Sequence, residues 1–307
     1  MTQTTEKISG LAPLKNKDFC FLLTGFAIGQ MLMPLQFITQ ILWVQEYAPK
    51  DVWLILVALI GASRGMGALL FGLYGGALAD RFDRRKLMLV TQFLLILTTV
   101  AISALMFFSV GSTLGFILFF SLTFLSAGLL SIDAPTRLAI IPDILGPQLT
   151  PAGMALSQAA AQLSMPMAMV GIGLIVEALG FSGAYLFSAT GHIVAIICIA
   201  LMSYRSPLAD EAKPAGPYRF TDALGDIREG LRYTWQHPVV FWIVALLFSM
   251  MALGFPATAN LGPTWITTVV GVPIPQVGFV VMTWGLGALA ASLLLTWFSS
   301  IERRGLL

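Results

Sequence analysis

Charge is what this 307-residue chain has least of: Asp, Glu, Lys and Arg make up 10% of it, 17 basic and 15 acidic, for a formal net charge of +2. No basic face is set apart on a soluble surface, which excludes a nucleic-acid partner. Cysteine is scarcer still, at 2, and Cys20 and Cys198 both lie in apolar runs. No disulfide framework or Cys-rich metal site is indicated, and both thiols read as small core residues. The 2 histidines, His192 and His237, give no Ser/His pair or metal set, and no Gly-x-x-x-x-Gly-Lys-Ser/Thr phosphate loop occurs. The expectation is a protein that is no enzyme, with no catalytic residues, no metal and no cofactor.

Apolar length takes the place of all these. The chain is 57% hydrophobic, with a mean hydropathy of +0.86, well outside the balance of a soluble domain. A bilayer core about 30 Å thick needs roughly 20 mostly apolar residues per spanning helix. Eight such stretches occur, at 19–43, 53–78, 87–109, 114–132, 154–176, 184–203, 239–262 and 276–298. Backbone groups in lipid must bond internally, and none of these runs alternates polar and apolar residues as a membrane strand would. The fold class expected is an all-α membrane protein. The first run is too long for the core of a cleaved signal peptide.

The basic residues orient the chain. With a cytoplasmic N-terminus, the inner segments hold fifteen of the seventeen: Lys7, Lys15, Lys17, Arg81, Arg84, Arg85, Lys86, Arg137, Arg205, Lys213, Arg219, Arg228, Arg232, Arg303 and Arg304. Lys50 is then outside and Arg64 within a helix, so the positive-inside rule selects this topology. A cell (inner) membrane, crossed several times with the N-terminus in the cytoplasm, is the location expected.

Loops are short except over 204–238, which carries ten of the thirty-two charges together with Pro207, Pro214 and Pro217. The chain thus divides into a cytoplasmic N-terminus (1–18), a six-helix bundle (19–203), a cytoplasmic linker (204–238) and a second unit (239–307). Within the linker, Leu224, Ile227, Leu231 and Trp235 form one helical stripe, predicting an amphipathic helix either on the inner membrane face or against the bundle. A self-match at an offset of 220 residues relates GMGALLFG (65–72) to GLGALAAS (285–292), and Asp83, Arg84 and Arg85 find an echo in Glu302, Arg303 and Arg304. Helices seven and eight therefore read as helices one and two of a second copy. Six helices precede the linker and two follow it, so by repeat logic a longer protein is expected, of which residues 1–307 lack the last four helices.

These residues carry a resemblance. GALADRFDRR (76–85) resembles the signature Gly-x-Leu-Ala-Asp-Arg-x-Gly-Arg-Arg between helices two and three of the major facilitator superfamily, with Asp83 in place of the second glycine. REGLRYTWQHP (228–238) and LAIIPDILGPQLTPAGMAL (138–156) resemble the linker and the loop between helices four and five of its branch of enterobactin, multidrug and macrolide exporters. The resemblance implies the major facilitator fold: a complete N-terminal six-helix bundle, the first two helices of a second, and alternating access to a central cavity. It also implies a conformational latch in which Gly76, Asp80, Arg81, Arg84 and Arg85 take part, Asp80 meeting a helix N-terminus of the second half. The Gly-Pro-x-x-Gly-Gly common in helix five of exporters is replaced by Ala168, Met169, Val170, Gly171, Ile172 and Gly173.

Polar residues inside membrane segments are functional candidates by default. Arg64 lies about eleven residues into helix two, roughly 17 Å from its outer end, and is either a substrate contact or a structural clamp. Beside it Gly61, Gly65, Ala68, Gly72 and Gly76 read as the small-residue packing face, with Leu59, Met66, Leu70 and Leu73 toward lipid. Gln36 and Gln40 share a face of helix one, and the repeat pairs Gln40 with Asn260; these amides either line a substrate cavity or bond neighbouring helices. Gln158 and Gln162 share a face of helix five. Asp133 and Glu177 read as inner and outer helix ends, either solvated or paired at a gate, or else as proton carriers, and His192 as either a proton carrier or a satisfied core imidazole.

The function expected is secondary active transport: proton-coupled efflux of amphipathic small molecules such as drugs or siderophore-like compounds, by a monomer in the lipid bilayer. The alternatives are a metabolite uptake permease of the same fold and a non-transporting membrane scaffold or receptor.

Overall fold

The computed structural model describes residues 10–109, 111–205, 232–250, 254 and 261–273, with 276, 277, 279, 280, 282, 283, 286, 287 and 290 beyond them. These residues form an all-α protein with five helices long and apolar enough to cross a membrane. The elements are α1 (Lys17–Tyr47), α2 (Trp53–Arg81), α3 (Arg84–Phe108), α4 (Thr113–Phe187), α5 (Ala189–Leu201), α6 (Pro238–Ser249) and α7 (Gly262–Thr268).

Each start has a local chemical cause. Asn16 caps α1, its side chain accepting from the backbone N–H groups of Asp18 (2.9 Å) and Phe19 (3.2 Å). Asp83 caps α3 in the same way, through Arg85 (3.0 Å) and Lys86 (3.3 Å). The departure from the glycine signature thus places a stronger helix starter at a position where glycine is itself tolerated. Ser112 caps α4 through Gly115 (3.0 Å). Prolines open α6 and α7, where a missing N–H costs nothing.

The largest departure from the sequence reading is α4. Helices were expected to stop near 132 and resume at 154, with a loop between. Instead the helix continues past Asp133 and Arg137 and breaks at Gly146 (φ 70°, ψ 170°), then again at Gly180 (φ 68°, ψ 177°). Both glycines occupy a backbone region open essentially to glycine alone, and Pro147 sits directly after the first break, where a new helix tolerates it. The segment 113–145 is about 50 Å long at 1.5 Å per residue, so it outruns the hydrocarbon, and its polar residues extend the helix rather than ending it. Residues on the two sides of Gly146 pack together: Ile140, Ile141 and Leu145 share a core with Leu149, Met154 and Leu156. The chain therefore reverses there, and with a second reversal at Gly180, α1 to α5 make six passes.

Two apolar layers hold the ends of the bundle. At one end Ile41, Trp43 and Val44 of α1 meet Val57 and Ile60 of α2, Ile102 and Met106 of α3, and Phe116, Phe119 and Tyr185 of α4. At the other, Phe19 and Leu22 meet Met88, Ile140, Ile141 and Ile199. The faces of α3 show what solvent this fold is built for. Thr91, Gln92, Thr98, Thr99 and Ser103 point inward, while Val90, Phe93, Leu97, Val100 and Phe107 are exposed. Polar residues inside and apolar residues outside is the pattern of a helix whose surroundings are lipid.

On α2 the packing face differs from the one expected. Gly67 and Gly75 are buried, with the backbone of Phe124 and of Ser131 so near that a Cβ at either would collide with it, whereas Gly65 and Gly72 are exposed. The close face therefore runs through Val57, Ile60, Gly67 and Gly75, about one residue around from the Gly61/Gly65/Ala68/Gly72 stripe. Leu59, Met66 and Leu70 are exposed, in keeping with a lipid-facing side.

The linker helix read from 221–235 falls mostly outside the described residues; its described end, 232–236, is helical, and Tyr233 stacks on His237 at 4.1 Å. Most of the eighth predicted helix and most of the second half of the seventh also lie outside them. The short α7 occupies a stretch with no predicted helix and packs on α1, where Gln45 Nε2 donates to Thr267 Oγ1 (3.1 Å).

Candidate functional site

Thr91 and Gln92 on α3, Asp133 and Arg137 on α4, His192 on α5 and Gln36 on α1 meet in the middle of the six-pass bundle. Asp133 is 1% exposed. One carboxylate oxygen accepts from Gln92 Nε2 (3.0 Å) and shares the single Thr91 hydroxyl proton (3.3 Å) with Met88 O (3.0 Å), and the other pairs with the Arg137 guanidinium one turn on. The same guanidinium lies over the Phe26 ring, 4.5 Å from its centroid. A carboxylate in such a place needs every one of these donors, since removing a charge from water without partners costs several kcal/mol.

From Asp133 the bonds continue as a chain. Gln92 Oε1 faces His192 Nδ1 at 2.8 Å, and His192 Nε2 faces Gln36 Nε2 at 3.5 Å. Gln36 Nε2 also donates to Thr99 Oγ1 (3.3 Å). Because the carboxylate only accepts, Gln92 must turn its amide nitrogen to it and its oxygen to the imidazole. His192 therefore carries its proton on Nδ1 and accepts at Nε2 from Gln36. Gln36, Gln92, Arg137 and His192 all border one cavity of about 50 Å³, whose apolar wall includes Phe21, Phe26 and Met33. It has room and polar partners enough for water.

A second buried cluster lies toward the other end of α1. Gln40, 1% exposed, donates to Thr123 Oγ1 (3.2 Å) and Tyr185 OH (3.1 Å), while its oxygen accepts from Arg64 Nη1 (3.5 Å). Arg64 is half-buried, with its guanidinium 5.3 Å from the Phe37 ring centroid. Gln40 thus bonds neighbouring helices inside the bundle.

The sequence-predicted residues are distributed as follows. Gln36, Asp133 and His192 are brought together, although each was read separately; Asp133, expected at a helix end, is inside α4 and buried, because the helix does not stop at 132. Glu177 is exposed, three residues before the Gly180 break, and Gln158 is exposed and Gln162 half-buried on the pass that follows Gly146. Asn260 lies outside the described residues, so its pairing with Gln40 does too. For Gly76, Asp80 and Arg81 the structure describes the backbone alone, as the last turns of α2.

Arg84 and Arg85 of the signature do more than hold a loop in water. Arg84 donates to Ala139 O (2.9 Å) and pairs with Asp143 (2.8 Å), which also accepts from Tyr204 OH (2.6 Å). Arg85 donates to Ile199 O (3.2 Å), Ala200 O (2.8 Å) and Tyr204 O (3.3 Å), binding the carbonyl end of α5 where a cation is favoured. Gln92 and Arg137 escaped sequence reading. The polar stripe Thr91, Gln92, Thr98, Thr99 at helical spacing was the available signal for Gln92.

Comparison with known proteins bears on this arrangement. A family model described as Major Facilitator Superfamily matches residues 19–307. A search of curated proteins finds no match. Among solved structures, the chain is similar to a bacterial homologue of the human lysosomal transporter Spinster, inward-facing and unoccupied, with 14% identity over 85% of this chain and 57% of that one, and a TM-score of 0.63. It is also similar to a D-xylose–proton symporter, with 13% identity over 92% of this chain and 67% of that one, at a TM-score of 0.63. A POT family transporter in complex with a thioalcohol-conjugated peptide gives 15% identity over 83% and 51%, at 0.52. At these identities the likeness is one of fold, and the chain spans 57% of the length of the first of these structures.

Proposed function

Since the chain belongs to the major facilitator superfamily, whose model covers residues 19–307, we propose that it is a secondary active transporter exporting amphipathic small molecules in exchange for protons, by alternating access. It is a multi-pass membrane protein acting on small-molecule substrates, and in this reading it is no enzyme and works as a monomer in the inner membrane with a cytoplasmic N-terminus. The observation that carries the reading is the buried chain Asp133–Gln92–His192–Gln36 beside a cavity of mixed polarity. A carboxylate taken this far into the bundle with a basic partner is held in a setting where gaining or losing a proton reorganises its neighbours. At about 50 Å³ the cavity is water-sized in this state, and in this reading alternating access widens it, its apolar and aromatic wall then meeting the apolar part of an amphipathic substrate and the amides and imidazole its polar groups.

The test is accumulation of an amphipathic cationic dye in cells expressing the gene or an Asp133→Asn variant, with the proton gradient intact or collapsed by an uncoupler. Expression of the unaltered gene lowers accumulation at least several-fold, the uncoupler abolishes the difference, and Asp133→Asn loses it although the protein still inserts. Higher accumulation on expression would instead mark uptake, and gradient-independent efflux would remove the proton.

A further inference from the structure

We propose that Gln92 and His192 are positioning residues that report the charge of Asp133 to Gln36, so that Asp133 protonation turns the Gln36 amide from a hydrogen-bond acceptor toward the cavity into a donor. This rests on the proton-coupled reading of the same site and gives it an atomic route.

The argument is one of bond direction. In the structure every bond of the chain points toward the carboxylate: Gln36 donates to His192 Nε2, His192 Nδ1–H to Gln92 Oε1, and Gln92 Nε2–H to Asp133. Both amide hydrogens of Gln36 are then spent, on His192 and Thr99, so what this side chain can still offer the cavity is its carbonyl oxygen. That oxygen suits an ammonium or hydroxyl group of a substrate.

A protonated Asp133 is a donor, and it reverses the chain. Its O–H bonds to Gln92 Oε1, the Gln92 amide turns its N–H₂ to the imidazole, and His192 answers with Nε2–H toward Gln36 Oε1. The Gln36 N–H₂ is then the end that faces the cavity, which disfavours the same ammonium or hydroxyl. One proton is gained overall, at Asp133: the ring gives up its Nδ1 proton and takes one at Nε2 through cavity water, with no net change.

Among the described side chains, the charged or titratable groups facing Asp133 are Arg137 on its own helix and His192 on α5; α3 presents Thr91 and Gln92, and α1 presents Gln36 and Phe26. Arg137 has the Phe26 ring to rest on when the carboxylate loses its charge.

The experiment is nitrogen NMR of labelled histidine in nanodisc-embedded protein carrying His237→Asn, which leaves one imidazole. The carbon resonance missing from an Asp133→Asn sample identifies the Asp133 carboxyl. As pH falls, His192 is expected to stay neutral and pass from the Nδ1–H to the Nε2–H tautomer at the midpoint of Asp133 protonation. In Gln92→Leu, Asp133 still titrates and the ring no longer follows it. The proposal is overturned by a ring that keeps one tautomer while Asp133 protonates, by an imidazolium, by an Asp133 that stays ionised over the accessible range, or by a ring that still follows in Gln92→Leu. Should Gln92→Leu not fold, the unaltered chain decides alone. No substrate or gradient is present, so failed dye efflux and a failed tautomer exchange are separate results.

Discussion

At the scale of single residues, the pair Asp133–Arg137 joins a buried carboxylate to a part-exposed guanidinium, so breaking it is costly. Removing one member of a buried ion pair typically costs about 3–5 kcal/mol, because the other charge is left without its partner. The two halves are not equivalent here. Asn at 133 keeps a carbonyl oxygen for Gln92 and Thr91, and Arg137, part-exposed at 17%, keeps the Phe26 ring. Met at 137 leaves a carboxylate that is 1% exposed with only two neutral donors. Arg137→Met is therefore expected to lose about 3 kcal/mol and Asp133→Asn distinctly less, seen as the larger drop in melting temperature of the detergent-solubilised protein; the reverse order would mean that the carboxylate is not ionised in the fold. Sequence flagged Asp133, His192 and Gln36 as unusual but could not join them. The joining residue, Gln92, sits on a helix whose polar stripe becomes meaningful only when its other face is known to meet lipid.

At the scale of elements, the length of apolar runs marked α1, α2, α3 and α5 to within a few residues and failed at α4. The charges and prolines of 133–151 resemble a loop when hydropathy is the measure, since hydropathy reports where lipid ends and not where hydrogen bonding ends. Helix interior residues Ile140, Ile141 and Leu145 pack on Phe19 and Met88 beyond that limit, and a backbone event, the Gly146 reversal, is what stops the helix. Gly146→Ala forces a Cβ into a conformation open essentially to glycine, at a cost on the order of 1–3 kcal/mol. Nothing in the surroundings would clash, as no atom lies within 4 Å of the added carbon, so the loss is conformational alone. It is measured as reduced thermal stability with unchanged helix content; a neutral Gly146→Ala would show that the reversal does not need positive φ. The glycines of α2 make the complementary point: the close approaches at Gly67 and Gly75 are set by the neighbouring helix, which a one-helix projection does not contain.

At the scale of the whole molecule, charge and apolar packing divide the bundle between its two ends. The end built on Phe19, Met88, Ile140 and Ile199 carries Arg84 and Arg85, both bound into the fold through Asp143 and the closing carbonyls of α5. The end built on Trp43, Ile60 and Phe116 has Lys50 exposed beside it. For an apolar slab between ends of such unequal basicity, the positive-inside rule predicts an orientation with the arginine end in the cytoplasm. With Cys20 and Cys198 replaced, a single cysteine at Lys50 is expected to react with a membrane-impermeant maleimide in intact cells. One at Phe82, 56% exposed between α2 and α3, is expected to react only after permeabilisation. Labelling of the Phe82 position from outside, with the Lys50 position protected, would invert the molecule and place the Arg84 and Arg85 end outside the cell.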